Sequence, residues 1–312
     1  MLNLSISLKH TLIVLPILLS GCTSSKLTTC QERIDNVKVN TQVLADIVQL
    51  SSSEMSGRAP TTRGSLAAQQ YITERFINIG AQPFYKGYTK PFAHRRLAPL
   101  KGVNLVATVA GSVFPEQFIV VSAHYDHLGH RGSTIFYGAD DNASGVAMML
   151  DLAAHLTRNP PLYSVLFLAT DAEEKGLLGA SAFLQENEID IVLNLNLDML
   201  GRSKRMYYLV SPDIRNKLRV SIESSSNTCF VYRRRHKDRS SMRYVDYFKA
   251  SDHYAFHKAG IPYVFLSGAI HNDYHLSSDT SDKMRLANVS NQNEHVRKMF
   301  GLIEDLLIKQ GT

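Results

Sequence analysis

Cysteine is scarce. The 312-residue chain has three, too few for a scaffold held by disulfides in place of a core. Glycine (18) and proline (10) are present in ordinary numbers, and this composition excludes a collagen-like repeat, a coiled coil and a disordered tail. Neither sign of charge dominates. Lys and Arg number 34 against 28 Asp and Glu, a formal charge of +6, and so mild an excess gives little reason to expect nucleic acid as a partner. The apolar run at residues 12–19 falls short of the roughly 20 residues needed to span a bilayer. The remainder, 44% hydrophobic and 20% charged, is globular in composition and long enough for a large core.

The N-terminus reads as an address. Residues 1–21 carry one formal charge, Lys9, then a short apolar stretch and small residues, the layout of a secretory signal. The end of this stretch, Leu19-Ser20-Gly21-Cys22, resembles a bacterial lipoprotein box, in which the cysteine becomes the lipidated first residue. The alternative is an ordinary signal peptide with a chance cysteine. The resemblance implies a lipid on Cys22 that holds the body in water at a membrane surface. Thr23 rather than Asp after Cys22 implies, by resemblance to lipoprotein sorting, the outer membrane, facing the periplasm. Residues 22–40 are polar and read as a tether. Cys30 and Cys229 either pair in an oxidising periplasm or stay as two unrelated buried thiols.

Apolar spacing at Leu66, Ala67, Tyr71, Ile72 and Phe76, ending at Gly80, predicts a helix over 65–79. Strand-like runs occupy 103–109, 118–123, 164–170, 191–197, 206–210 and 262–267, several of them apolar on both faces, as buried strands are. Helical patterns lie at 144–158, 177–185 and 291–309. This alternation predicts an α/β three-layer sandwich, a mixed, mostly parallel central sheet flanked by helices, as a single catalytic domain over 41–312.

Acids and histidines collect just after the strands, where open α/β sheets bind ligands. The run at 118–123 leads into His124-Tyr125-Asp126, and Asp140-Asp141-Asn142-Ala143-Ser144-Gly145 precedes a helix. The next runs lead into Asp171-Ala172-Glu173-Glu174 and Asp198-Met199, and Tyr274-His275 with Asp279-Thr280 follow the last. Each item alone is weak, because His-x-Asp is common by chance and Glu-Glu is usually a solvated pair. Together, on successive strand ends, such carboxylates are costly to desolvate and need a cation or several donors. Histidines with carboxylates suit zinc. The acids exceed what one tetrahedral zinc uses, and a carboxylate shared by two metals about 3.5–4 Å apart accounts for the surplus.

In this order the motifs, with Gly57-Arg58 and Gly64, resemble those of the secreted di-zinc aminopeptidases of the bacterial leucyl aminopeptidase and aminopeptidase Y family. Glutamate carboxypeptidase, transferrin receptor and glutaminyl cyclase are more distant kin. The resemblance covers the chain from about residue 50 onward. It implies two zinc ions per chain, with His124 and Asp198 on one, Glu174 and His275 on the other, and Asp141 bridging both. It implies Glu173 as general base, Asp126 as the group that orients His124 or the bridge, and a cis peptide bond between Asp141 and Asn142. Asp140 competes for the bridge, but the family pattern sets it immediately before Asn142 and leaves Asp140 to solvent or its loop. Ser144 reads as a helix N-cap and Gly145 as a close-packing position. Tyr274 is either an oxyanion donor, as in some relatives, or a packed aromatic. Asp252 is expected to support the site from outside the ligand set, and Asp279 either holds His275 or is a turn acid.

Four further histidines, His127, His130, His253 and His257, read as satisfied or exposed rather than as ligands. The basic run from Arg233 to Arg239 reads as a solvated insert, with anionic headgroups or acidic substrates as its other roles. The function implied is zinc-dependent removal of N-terminal residues from peptides with a free N-terminus. The rival readings are a glutaminyl-cyclase-like acyltransferase with one zinc, a zinc carboxypeptidase on the same fold, and a non-catalytic surface receptor. The last ranks lowest, because every ligand position is filled.

Overall fold

A computed structural model describes residues 29–93, 101–186, 188–225, 229–233, 237–240 and 243–311. The expected signal segment and Cys22 lie outside the described residues. Three helices come first: α1 (Cys30–Asp35), α2 (Thr41–Leu50) and α3 (Arg63–Ile79). The Thr62 hydroxyl caps α3 by accepting from the Ser65 amide, and Gly80 ends it at φ 85°, where a residue without Cβ is unstrained. Strands β1 (Gln82–Pro83), β2 (Thr89–Ala93), β3 (Lys101–Val109) and β4 (Phe114–His124) follow, then a small hairpin of β5 (His130–Arg131) and β6 (Thr134–Ile135). The centre of the chain alternates α4 (Gly145–Arg158), β7 (Tyr163–Thr170), α5 (Leu178–Glu186) and β8 (Asp190–Asp198). Next come β9 (Met206–Val210), α6 (Arg215–Ser224), β10 (Phe230–Tyr232) and a ribbon of β11 (Lys237–Ser240) and β12 (Arg243–Asp246). The last elements are α7 (His253–Lys258), β13 (Tyr263–Ser267) and α8 (Leu286–Gly311).

The main sheet runs β1-β3-β7-β4-β8-β13-β9-β10, with β2 also paired to β3. Its centre, β7, β4, β8 and β13, is parallel, while β3 and β9 join antiparallel on either side. Helices cover both faces, so β7 is buried at every position and reads as a continuous apolar run. One face packs against α2, α3, α4, α6 and α8 through side chains such as Ile47, Ile72, Leu150, Leu218 and Met299. The other packs Val106, Val120, Leu166 and Leu168 against Phe183 of α5 and Phe256 of α7. Each fully buried side chain of this size contributes about 1.5–3 kcal/mol.

Strand β8 differs from its neighbours. Leu193, Leu195 and Leu197 face the main core, whereas Asn194 and Asn196 are buried on the opposite face. They persist there because each amide nitrogen, and the Asn196 oxygen, is paired. Asn194 donates to the Val120 carbonyl and to Ser122 Oγ, and Asn196 accepts from Ser122 and donates to Ser251 Oγ. This polar row leads to Asp198 at the strand's end. The register sets His124 beside Thr170 and Asp198 beside Ser267, so four parallel strands finish level on one edge of the sheet.

Two features tie the irregular parts to this frame. The expected tether over 22–40 gives way to helix α1, whose Cys30 and Ile34 are buried. A disulfide joins Cys30 to Cys229, with the Cα atoms 4.9 Å apart, which settles the two alternatives for these cysteines in favour of pairing. Arg58, between α2 and α3, is fully buried. Its guanidinium donates to the carbonyls of Leu50 (2.5 Å), Tyr125 (2.7 Å), Tyr137 (2.8 Å) and Gly138 (2.9 Å). It thereby braces the loop after β4 against the loop before α4. Burial lowers its pKa to about 10, and it remains charged. Among the described residues no helix is long and apolar enough to cross a membrane.

Arg58→Lys replaces a planar fork with a compact ammonium that has three donors. Each carbonyl left without a partner costs about 1–3 kcal/mol, so urea unfolding of this variant is expected to show a loss of about 2–4 kcal/mol. A midpoint equal to that of the parent would contradict the bracing role.

Candidate metal centre

The level strand ends bring the predicted residues into one place. His124 ends β4, Asp198 ends β8, and Glu173 and Glu174 follow β7. Asp141 lies in the turn that leads into α4, and its peptide bond to Asn142 is cis, as the resemblance implies. Asp141 is nearly fully buried and faces an imidazole on each side. His124 Nε2 lies 3.4 Å from Asp141 Oδ1 and 3.6 Å from Asp198 Oδ1. On the far side, His275 Nε2 lies 3.0 Å from Asp141 Oδ2 and 3.3 Å from Glu174 Oε1. One oxygen each of Asp141, Glu174 and Asp198 is buried without a hydrogen-bond partner. Buried carboxylate oxygens left this way need a cation, and imidazole nitrogen with carboxylate oxygen is a zinc donor set. The groups His124–Asp141–Asp198 and His127–Asp141–Glu174 each hold three donor atoms within 4.8 Å of one another.

The surrounding chain holds these side chains by backbone donors. Asp126, fully buried, accepts from the amides of Glu173 (3.0 Å) and Glu174 (3.3 Å). Its carbonyl oxygen, 3.1 Å from His124 Nδ1, is what orients that ring, while its carboxylate lies farther off at 3.8 Å. Asp126 therefore positions the two glutamates and His124 at once. The Asn142 side chain accepts from the amides of Gly145 and Met199 and donates to the Leu197 carbonyl. A Cβ on Gly145 would fall 2.3 Å from that amide oxygen, so only glycine fits there. Three residues in or beside this cluster adopt positive φ without being glycine: Ala172 (57°), Met199 (58°) and His275 (56°). Backbone strain of this kind persists only where surrounding contacts enforce it.

Several expectations need correction. Asp279 holds the Asp140–Asp141 loop rather than His275: its Oδ2 accepts from the amides of Asp140 and Asp141 at 3.0 and 3.1 Å. Asp140 is not solvated but fully buried, accepting from the Gly201 amide and facing His271 Nε2 at 3.1 Å. Ser144 does not cap α4; its hydroxyl donates to the Asp140 carbonyl and accepts from the Leu200 amide. His127 is neither exposed nor satisfied. It is fully buried, with Nδ1 3.0 Å from Glu174 Oε1. Its place three residues past His124, on the same post-strand loop, is the sequence signal that could have marked it. Asp252 lies behind the site, bonded to the Thr170 hydroxyl at 2.5 Å. Of the basic run, Arg234, Arg235 and His236 lie outside the described residues, but Arg233 is buried between the rings of Tyr207 and Tyr247, at 4.0 and 4.2 Å.

The site opens into a cavity of about 280 Å³. Its floor is His124, Asp141, Glu173, Glu174, Asp198 and His275, and Tyr274 lies beside them. The walls are largely apolar, from Leu177, Met199, Val245, Tyr247, Phe265 and Ile270, with exposed Lys249 at the rim. The two adjacent glutamates are pushed in opposite directions. Burial, then Glu174 and Asp252, hold the Glu173 carboxyl well above its usual range, although His124 pulls it down. Burial and Asp141 oppose ionisation of Glu174, yet His127 and His275 bring it down to about 2. Burial and the charges of Asp141 and Glu174 raise the Tyr274 phenol, which keeps its proton.

The sequence profile of peptidase family M28 matches residues 104–300. A probable zinc metalloprotease of Pyricularia oryzae is 33% identical over 164 residues, 48% of this chain and 32% of that protein. The alkaline phosphatase isozyme conversion protein of Escherichia coli is 28% identical over 171 residues, 49% of each. The matched part thus spans about a third to a half of these relatives. Among solved structures, the LapA aminopeptidase of Legionella pneumophila superposes with a TM-score of 0.65 at 20% identity, over 88% of this chain and 74% of that one. A glutaminyl cyclase of Fimbriiglobus ruber gives 0.66 at 20%, over 84% and 94%. These likenesses establish the shared α/β fold. The profile match covers more than half of the chain and takes in His124, Asp141, Glu173, Glu174, Asp198 and His275, so the chain belongs to peptidase family M28.

Proposed function

We propose that the protein is a zinc-dependent aminopeptidase that hydrolyses N-terminal residues from peptides. One observation carries this reading: the two oxygens of Asp141 face separate imidazole–carboxylate sets, and Glu173 lines the same cavity. The donors fit a pair of cations, with His124 and Asp198 for one, Glu174 and His275 for the other, and Asp141 between them. When bound, such a pair polarises a carbonyl and lowers the pKa of a water molecule.

The protein side of the reaction follows from the side chains. Glu173, in its ionised form, takes a proton from the water as its oxygen adds to the scissile carbonyl carbon. The carbon–nitrogen bond then breaks with its electrons on nitrogen, and Glu173 returns the proton to the departing amine. Tyr274, a phenol that stays protonated, donates to the developing oxyanion. Asp126 keeps both glutamates in place through their amides. The apolar walls receive an apolar N-terminal side chain, and the acids of the floor attract its free amine. The glutaminyl cyclase and carboxypeptidase alternatives use the same fold; the doubled donor set around Asp141 favours hydrolysis with two cations over the cyclase, and cleavage of C-blocked but not N-blocked dipeptides separates an aminopeptidase from a carboxypeptidase. The anchor is also a proposal: Cys22 carries lipid and holds the enzyme at the outer membrane, facing the periplasm. The Cys30–Cys229 bond is in keeping with an oxidising compartment.

Three measurements test this. Aminoacyl-p-nitroanilides are expected to be cleaved, with chelator abolishing turnover, zinc restoring it, and Glu173→Gln lowering kcat at least about 100-fold at unchanged zinc content. Cyclisation of N-terminal glutamine with no amide hydrolysis would select the acyltransferase instead. The second concerns protons. Burial opposes protonation of His275, but Asp141 and Glu174 raise its pKa to about 10. Below that pH the metal-free ring is charged, and a ligand must be neutral. Zinc affinity should therefore rise with pH between about 6 and 9. Calorimetry in buffers of different ionisation enthalpy should detect a proton released, and pH-independent binding without release would remove His275 from the ligand set. Third, labelled palmitate should enter the expressed chain and not its Cys22→Ser variant; equal labelling of the two would remove the anchor.

A further inference from the structure

His127 has no part in the reaction just described, yet it occupies the site. It is fully buried and sets its ring edge-on to that of His275, with centroids 5.9 Å apart. Its Nδ1 lies 3.0 Å from Glu174 Oε1 and 3.8 Å from Asp141 Oδ2, out of hydrogen-bonding alignment with either, and Nε2 also lacks a partner. The ring has no room to retreat. Gly138 backs it at φ 57°, and a Cβ there would fall 2.6 Å from the ring. Buried imidazole nitrogens left without partners cost free energy, and here the nearest groups are carboxylate oxygens.

Donor spacing supplies the reason for its placement. Donors at 2.0–2.1 Å from a tetrahedral zinc lie roughly 3.3–3.4 Å apart. From His127 Nδ1 to Glu174 Oε1 and Asp141 Oδ2 the separations are 3.0 and 3.8 Å, and from His275 Nε2 to the same two oxygens they are 3.3 and 3.0 Å; these four histidine–carboxylate edges straddle that length. Among the described residues, the His124 side offers His124, Asp141 and Asp198, with His124 Nε2 at 3.4 and 3.6 Å from the two carboxylates.

We propose that His127 is a fourth protein donor, through Nδ1, to the cation held by Asp141, Glu174 and His275. This rests on the two-cation reading and divides its halves. The His127 side has a full set of four protein donors, as structural zinc sites do, and the His124 side, with three, keeps the open position that a catalytic zinc needs.

The test uses the full chain, stripped with chelator and titrated with zinc against a chromophoric competitor. The parent is expected to bind two equivalents. His127→Ala should weaken one of them by more than about 100-fold, beyond the 10–100-fold typical of residues that only orient a ligand, and leave the other within about threefold of the parent. The parent loaded with cadmium-113 should show scalar coupling from cadmium to a histidine Nδ1 assigned to His127, a readout that does not depend on the variant folding. Two equivalents at parental affinity in His127→Ala would overturn the proposal. So would absence of the coupling, which would leave His127 orienting Glu174 without touching the cation. A parent that binds no zinc at all would instead overturn the underlying reading.

Discussion

The Asp141 carboxylate lies almost out of reach of solvent, with His124 at one oxygen and His275 at the other. Glu173, Glu174 and Asp198 line the same cavity. Like charges at this spacing repel strongly where water is excluded, and the arrangement is tenable only because positive charge enters from several directions. His124 and His275 face Asp141 from either side, and backbone amides offset the buried groups that hold the surrounding loops. The amides of Asp140 and Asp141 point at Asp279, those of Glu173 and Glu174 at Asp126, and those of Gly145 and Met199 at Asn142. Fixed dipoles of this kind supply partial positive charge that does not have to reorganise.

Neighbours in sequence acquire different chemistry through this environment. Glu173 and Glu174 share a turn, but Glu174 faces two imidazoles and ionises readily, while Glu173 is burdened by burial and nearby acids. Titratable groups driven apart in this way can divide the tasks of ligand and proton carrier. The turn itself is shaped by Ala172 in the left-handed region, which directs the two side chains apart.

Much of the fold was legible because its determinants are local. The apolar runs of β4, β7 and β8 and the spacing of α3 each report burial within a few residues, and the helix over 65–79 differs from Arg63–Ile79 only at its first turn. The motif residues were legible as well, since they fall at strand ends. The partners of the acids were not. Asp279 meets the amides of Asp140 and Asp141 from 139 and 138 residues away in sequence, and nothing in the His275–Thr280 segment specifies that pairing. His127 shares the segment 124–130 with two other histidines, and nothing in that segment singles it out as a donor until Glu174 is seen 3.0 Å from its ring. The walls of the cavity, Val245, Tyr247 and Ile270, come from segments whose sequence carries no periodicity that would place them there.

Arg233 ranks among the most basic stretch of the chain, yet its guanidinium is stacked between Tyr207 and Tyr247, and Tyr247 is also a wall of the cavity. The same aromatic ring thus belongs to a clamp and to a binding surface. A change at Arg233 would therefore reach the pocket through that ring, reshaping an apolar wall while leaving the charged floor untouched.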